Sequence, residues 1–435
     1  MKRPAEKDAR VLRTSALARV EGEGAMSVTI RGDEVVDVRL RIYEPPRFFE
    51  AFLRGRHFTE VPDITARICG ICPVAYQTSS CQAMEDACGV TLPDEIRLLR
   101  RLLYCGEWIE SHTLHIFMLH APDFLGYPSG IAMAAEHREM VEGALALKKA
   151  GNELVRVAGG REIHPINVAI GGFYRAPSRA ELAPVAERLR ESLAFAQEAV
   201  GFLAGLDFPE LEEGYDFVAL TADDAYAIED GRLRSSGELD LAPRDFPEHF
   251  FEEQVPHSTA LHSRLRDGGT YMVGPLARYA LGKRTLPPLA RQAVARAGLP
   301  DVVRNPFRSI LVRMVEVVCA IEEALRIIDD YAPPRPSRVA VAPRAATGHG
   351  WSEAPRGLLY HRYTLDGDGK ILDATIVPPT SQNQRAIEGS LHALVRRSLD
   401  ASDDVLRHLC EQAIRNYDPC ISCSTHFLEL EVDRA

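Results

Sequence analysis

Two cysteine pairs in the sequence could grip a metal. Cys69 and Cys72 sit in "RICGICPVAYQTSS", and Cys420 and Cys423 sit in "DPCISCSTH". A C-x-x-C spacing lets two thiolates reach one ion, and two such pairs make a four-thiolate site. Zinc ribbons use this pattern with 15–20 residues between pairs, whereas these pairs lie almost 350 residues apart. Such a separation favours a site at the centre of a large fold over a local folding clip. Thiolate donors also suit nickel and iron, so spacing alone leaves the ion open.

Other candidates are weaker. Nine cysteines is an odd count in a long chain, which argues against a disulfide framework. The remaining five, Cys81, Cys88, Cys105, Cys319 and Cys410, are scattered and read as small buried apolar residues. "DGDGK" at 366–370 opens like a calcium loop, but its twelfth position is Val377, which makes a turn the better reading. No GxxxxGK[ST] and no strand-associated GxGxxG occurs, so no nucleotide site is expected. His112 and His115, three apart on an amphipathic stretch, read as packed or hydrogen-bonded core residues.

The elements that must carry these residues come from 435 residues, 46% hydrophobic and 26% charged, the makeup of an ordinary globular protein. A net charge of −11 argues against nucleic acid as a partner. No run is long and apolar enough to span a bilayer, and the first residues lack the apolar region of a secretory signal. A cytoplasmic location is therefore expected. Residues 26–44 alternate as a hairpin about "RGDE". Helical periods run from about 95 to 120, 134–158 and 179–205, with Ser178 as an N-cap and Gly159–Gly160 as a stop. Residues 206–285 read as strands and excursions. A long helix from about 306 should stop at Pro333–Pro334, a second hairpin should span 357–377, and helices at 384–399 and 402–416 should lead to the last cysteines.

The flanking residues narrow the choice of ion. RxCGxC near the start and DPCxxCxxH near the end resemble the two metal-binding signatures of the large, catalytic subunit of [NiFe] hydrogenases. "RVEGEG" (19–24), "RFFEAFLRGR" (47–56), "ESHTLHIFMLHAPDF" (110–124), "GGREIHPINVAIGGF" (159–173), "EAPRG" (353–357) and "VPPTSQN" (377–383) follow in that family's order. The resemblance covers nearly the whole chain. It implies an α+β, predominantly helical fold with a central long-helix bundle and peripheral β hairpins. The expected division is an N-terminal β region (1–45), a helical part with the first pair (46–205), an irregular excursion (206–285) and a closing part with the second pair (286–426). All belong to one large-subunit domain, and 427–435 would be a cleavable extension.

Carried over by motif, the resemblance makes Cys69 and Cys420 terminal nickel ligands. It makes Cys72 and Cys423 bridges from nickel to an iron bearing carbon monoxide and cyanide, a Ni–Fe(CO)(CN)2 centre. Cys420 would take the proton from dihydrogen and Glu21 would relay it. Arg356 would lie above the metals, paired with Asp123. Pro379 and Thr380 would face the diatomic ligands. Glu50, the Ile376 carbonyl and His426 would hold a Mg²⁺-like ion. Tyr76 stands where many members have histidine, and a phenol does not titrate near neutrality.

The motifs look most like the cytoplasmic, NAD(P)-linked branch, including the sulfhydrogenase alpha type. The F420-linked and viologen-linked branches are neighbours. An H2 sensor or non-catalytic scaffold, the related quinone-site subunit of respiratory complex I, and a structural zinc protein are the competing readings. With four cysteines committed and no cluster pattern among the rest, iron–sulfur, flavin and NAD(P) sites should lie in partner subunits: a small subunit and diaphorase-type subunits. The resemblance also implies nickel-insertion proteins and a protease that trims the chain after His426.

Overall fold

The structure, a computed structural model, describes residues 9–425. The chain opens as an antiparallel meander of β1 (Ala9–Thr14), β2 (Gly24–Arg31) and β3 (Glu34–Ile42). The last two are the hairpin expected from alternation, with Arg31 opposite Glu34 across the turn. Gly32 turns the chain at φ 58°, a conformation that costs glycine little.

The centre is helical: α1 (Pro73–Cys88), α2 (Asp94–Leu114), α3 (Arg138–Gly159), α4 (Arg179–Ala204) and α5 (Ser309–Asp329). α2 and α4 each pack against both α3 and α5. The apolar period that predicts them is the buried stripe, for example Ile96, Leu99, Leu102 and Leu103 on α2. α4 starts as expected at Ser178. Its hydroxyl accepts the Glu181 N–H while the Glu181 carboxylate accepts the Ser178 N–H, a reciprocal cap whose loss costs about 1 kcal/mol. α3 stops at Gly160, which takes φ 81°. α2 continues into a wide π turn, His115–His120, that lies against α5 and the end of the second cysteine segment.

Residues 206–285 form short strands, among them the hairpin β4 (Phe250–Glu253) and β5 (His262–Leu265), and short helices, the longest Pro275–Gly282. An antiparallel sheet follows, β6 (Ala346–Ala354), β7 (Gly357–Leu365) and β8 (Ile371–Val377) in that order. At the β7–β8 turn Asp366 accepts the N–H groups of Asp368 and Lys370, the self-bonded turn expected there. α6 (Pro379–Arg397) and α7 (Asp403–Arg415) then lead to Cys420. α6 begins earlier than the sequence period indicates, because Pro379 occupies its first turn, where a missing N–H costs nothing. Among the described residues no helix is long and apolar enough to cross a membrane. The arrangement is the α+β, predominantly helical one expected, with the β6–β8 sheet buried more deeply than a peripheral hairpin.

α1, which directly follows the first cysteine pair, buries most of its polar side chains along with its apolar ones, so it has no solvent face and no readable period. It lies against β6 at backbone contact. A Cβ on Gly348 would fall 2.0 Å from the Ala83 carbonyl oxygen, and one on Gly350 would fall 2.3 Å from that of Ser79. The "GHG" of β6 is therefore the seat of the helix that presents Cys72. Gly350→Ala should lower the unfolding free energy by about 1–3 kcal/mol, read from chemical denaturation. Gly367→Ala, in the β7–β8 turn with nothing within 4 Å, should leave it unchanged. Equal midpoints for the two variants would refute the close seat.

Candidate metal centre

The turn before α1 and the turn after α7 bring the four cysteines together. Their sulfur atoms all lie within 4.8 Å of one another, and all four residues are buried and unbridged. Cys69 Sγ is 3.4 Å from Cys420 Sγ, Cys72 Sγ is 3.7 Å from Cys423 Sγ, and the Cys420 and Cys423 sulfurs are 2.8 Å apart. The last distance is far beyond the roughly 2.05 Å of a disulfide. Thiol donation from Cys420, Cys423 and Cys72 pulls Cys69 well below the usual cysteine range. Burial first, and then its sulfur neighbours, push Cys420 well above it. Sulfur contacts thus pull one thiol down while burial pushes another up, in a buried donor shell that would exchange protons for a cation.

Positive charge frames the sulfurs. Arg356, at the β6–β7 turn, is buried; burial alone would lower its pKa, yet Asp418 and then the sulfurs of Cys420, Cys72 and Cys69 hold it well above the usual range. Its Nε donates to the Asp418 carbonyl at 2.9 Å and an Nη donates to the Asp418 carboxylate at 3.2 Å. Arg313 of α5 lies 3.7 Å from the other carboxylate oxygen of Asp418. Arg47 links the cysteine segments: one of its Nη atoms donates to the Ile68 carbonyl at 2.7 Å and to the Ser422 carbonyl. Glu107, buried in α2, accepts the N–H groups of Val74 (2.6 Å) and Ala75 (3.1 Å) and so caps the helix behind Cys72.

Glu21 reaches the site from the segment before β2. Its carboxylate lies 3.2 Å from Cys420 Sγ and accepts the Ser422 N–H at 3.0 Å. Burial, then the charge on Cys69, raises its pKa. Gly22 at φ 86° permits the approach: a Cβ there would stand 2.7 Å from the Ile421 side chain. Thr380, in the first turn of α6, accepts the Cys420 N–H at 3.0 Å and keeps its own hydroxyl proton to donate. Tyr76 is buried beside the Cys423 and Cys72 sulfurs; burial, then those sulfurs, push its phenol well above its usual range, leaving a neutral group. Pro379 is buried next to Thr380.

One expected pairing is different. Asp123 does not meet Arg356. It accepts two hydrogen bonds from Arg415 of α7, at 2.6 and 2.8 Å, and one from Arg19. The reason is reach: Arg356 is already engaged by Asp418, whose left-handed backbone (φ 51°) turns its carboxylate and carbonyl back onto the guanidinium. His112 and His115 are buried, as their packed reading implies: His112 Nε2 lies 3.0 Å from the Glu316 carboxylate, and His115 hydrogen-bonds the Arg415 carbonyl at 2.8 Å. Glu50 accepts the Ile376 N–H at 2.6 Å, so the structure joins these two residues through the amide. His426 and the 427–435 extension lie outside the described residues.

Arg47, Glu107, Arg313 and Asp418 were not singled out from sequence. Asp418 was legible as part of DPC, and Glu107 as a carboxylate on an otherwise apolar helical stripe. Arg47 was legible as the first residue of RFFEAFLRGR, whereas Arg313 carried no local signal.

Comparison with known proteins gives three consistent findings. The family description "Nickel-dependent hydrogenase" matches residues 47–143 and 267–426. Sulfhydrogenase 2 subunit alpha of Pyrococcus furiosus is 34% identical, over 97% of this chain and 100% of its own. NAD-reducing hydrogenase HoxS subunit beta of Cupriavidus necator is 28% identical, over 95% of this chain and 94% of its own. Among solved structures, an NAD⁺-reducing [NiFe]-hydrogenase in the H2-reduced state superposes with a TM-score of 0.86 at 28% identity. That match covers 96% of this chain and 99% of the other.

Removing Asp418 would strand two buried guanidinium groups. Asp418→Ala should therefore destabilise the chain by about 3–5 kcal/mol in chemical denaturation, the range for breaking a buried ion pair from one side. A loss below 1 kcal/mol would contradict the pairing described.

Proposed function

The chain belongs to the nickel-dependent hydrogenase family as a catalytic large subunit, and we propose that it couples dihydrogen to NAD(P) through partner subunits. The observation that carries the site reading is the meeting of four buried thiols with a carboxylate 3.2 Å from one of them. In this reading Cys69, Cys72, Cys420 and Cys423 would together hold the nickel–iron centre. When bound, the Ni–Fe(CO)(CN)2 centre supplies an electrophilic metal pair that accepts the two electrons of dihydrogen.

The residues of the chain do the rest. Cys420 Sγ takes the proton, and Glu21, whose raised pKa suits brief protonation, receives it and hands it outward. Ser422 gives that path a next member: its side chain also hydrogen-bonds Glu21, and its hydroxyl donates to Glu44 at 2.9 Å. Arg356 sets a fixed positive charge beside the thiolates, and the Thr380 hydroxyl and Pro379 would contact the diatomic ligands. Asp123, paired with Arg415 and Arg19, positions the segment that carries Glu21. Glu50, the Ile376 carbonyl and His426 would hold Mg²⁺.

In this reading electrons leave through a small subunit with iron–sulfur centres. NAD-reducing relatives support diaphorase-type partners with flavin and NAD(P) sites. In this reading the enzyme is cytoplasmic, and nickel-insertion proteins and a processing protease mature it.

Two variants of the purified complex test these roles. Glu21→Gln should cut H2-dependent NAD(P) reduction and H/D exchange by about 10²–10⁴-fold while nickel and iron stay at wild-type content. Unchanged exchange would refute the relay. Cys420→Ala should abolish H2 oxidation, and wild-type turnover in that variant would refute the ligand set.

A further inference from the structure

Away from the four cysteines, a second set of metal-binding side chains converges between β3, β5 and α6. His257, in the β4–β5 connection, His262, which opens β5, and Glu388 of α6 place ligand atoms within 4.8 Å of one another. His262 is 2% exposed, and its Nε2 is fully buried with no hydrogen-bond partner. An imidazole nitrogen left this way loses its water and gains nothing in return. We propose that His257, His262 and Glu388 form a separate site for a zinc-type divalent cation, which fastens the β4–β5 hairpin and β3 to α6.

Donor chemistry sets the class of ion. Two imidazoles and one carboxylate match the three-ligand zinc sites that keep a fourth position open. Magnesium and calcium favour all-oxygen shells, and the soft thiolate set lies elsewhere in the fold. Four-coordinate zinc with bonds of about 2 Å spaces its ligands by roughly 3.4 Å, so ligand atoms all within 4.8 Å need only small shifts, the His257–Glu388 contact opening slightly. His257 Nε2 and Glu388 Oε1 are already 2.9 Å apart. Burial depresses the His262 pKa to about 3, leaving a neutral ring at physiological pH, the form that binds a metal.

An outer shell is also present. Glu388 Oε1 accepts the Leu40 N–H at 2.9 Å, which fixes the carboxylate against β3. Arg385 is the cation that faces His262, and Glu253 engages it at 2.6 Å. Asp37 adds a negative charge near Glu388. A surface cleft lined by Tyr43, Pro46, Gln254 and His257 gives an ion its way in. The site also braces the hydrogenase centre from behind. Thr259, between the two histidines, donates its N–H to Ile42 at 2.9 Å, and Ala260 packs with Ile42 on Ile421, the residue after Cys420.

The test is zinc uptake by the purified complex after dialysis against a mild chelator. Zinc, nickel and iron are counted by mass spectrometry, and Co²⁺ absorption serves as a coordination probe. Wild type should take up one zinc per chain more than His262→Gln. In His257→Gln and Glu388→Gln, zinc affinity should fall by more than the roughly 10–100-fold lost when an outer-shell partner is removed. His257→Gln keeps the test open if the buried His262 variant fails to fold, because that side chain is partly exposed. Unchanged nickel and iron in the variants would show that the fold and the first centre persist. Equal zinc in wild type and all variants, or none in wild type, would overturn the proposal.

Discussion

Four thiol groups cannot share one buried space as four anions unless positive charge comes from within or from bound metal. That constraint organises the molecule. The four sulfurs lie within 4.8 Å of one another, the Cys69 thiol is pulled down by its sulfur neighbours, and Arg356 contributes a charge that burial cannot remove. A buried guanidinium needs its own counter-ion, and Asp418 supplies it one residue away from the DPC proline. Arg313 on α5 shares the same carboxylate, so the central helix is tied electrostatically to the last cysteine turn. Electrostatics here is bought with backbone geometry: the left-handed Asp418 is the conformation that lets one residue serve both guanidinium groups.

The second demand is mechanical. Cysteines 351 residues apart must hold sub-ångström register, and neither pair sits within a long helix or strand. The structure solves this with connectors that touch both ends of the chain. Arg47 bonds the carbonyls on either side of the pincer, and Glu21 forms a backbone bridge to the Cys420 segment as well as facing its sulfur. Behind them, α1 is capped by Glu107 and seated on glycines of β6. Residues that position the site thus come from many separate stretches of chain, and only two of these carry the C-x-x-C spacing.

Much of this was legible. Alternation gave the β2–β3 hairpin, the three- and four-residue period gave α2 to α5, and the cap and stop signals at Ser178 and Gly160 fell where written. The two C-x-x-C pairs and RVEG named groups that do meet. What stayed hidden is what has no local signature. α1 is buried all round, so no period marks it. The Asp123–Arg415 pair joins helices through space, and a sequence offers Asp123 many arginines without saying which one α7 will deliver. Arg47 opens RFFEAFLRGR, but only the fold aims it at two carbonyls. Motifs expose the groups that do chemistry, whereas long-range geometry decides which groups hold them.

The isolated bridge between Glu21 and Cys420 also bears on the order of folding. Loop closure grows only logarithmically with length, about 0.6 kcal/mol per doubling, so joining such distant segments is affordable at equilibrium. Kinetically it belongs to the contacts of highest sequence separation, which form late. The α2–α5 bundle can condense from nearer neighbours while the cavity for the sulfurs still lacks one wall. Closure of that wall by the Cys420 turn is then a terminal step, and the interval before it is when an ion can enter a centre that the finished fold encloses.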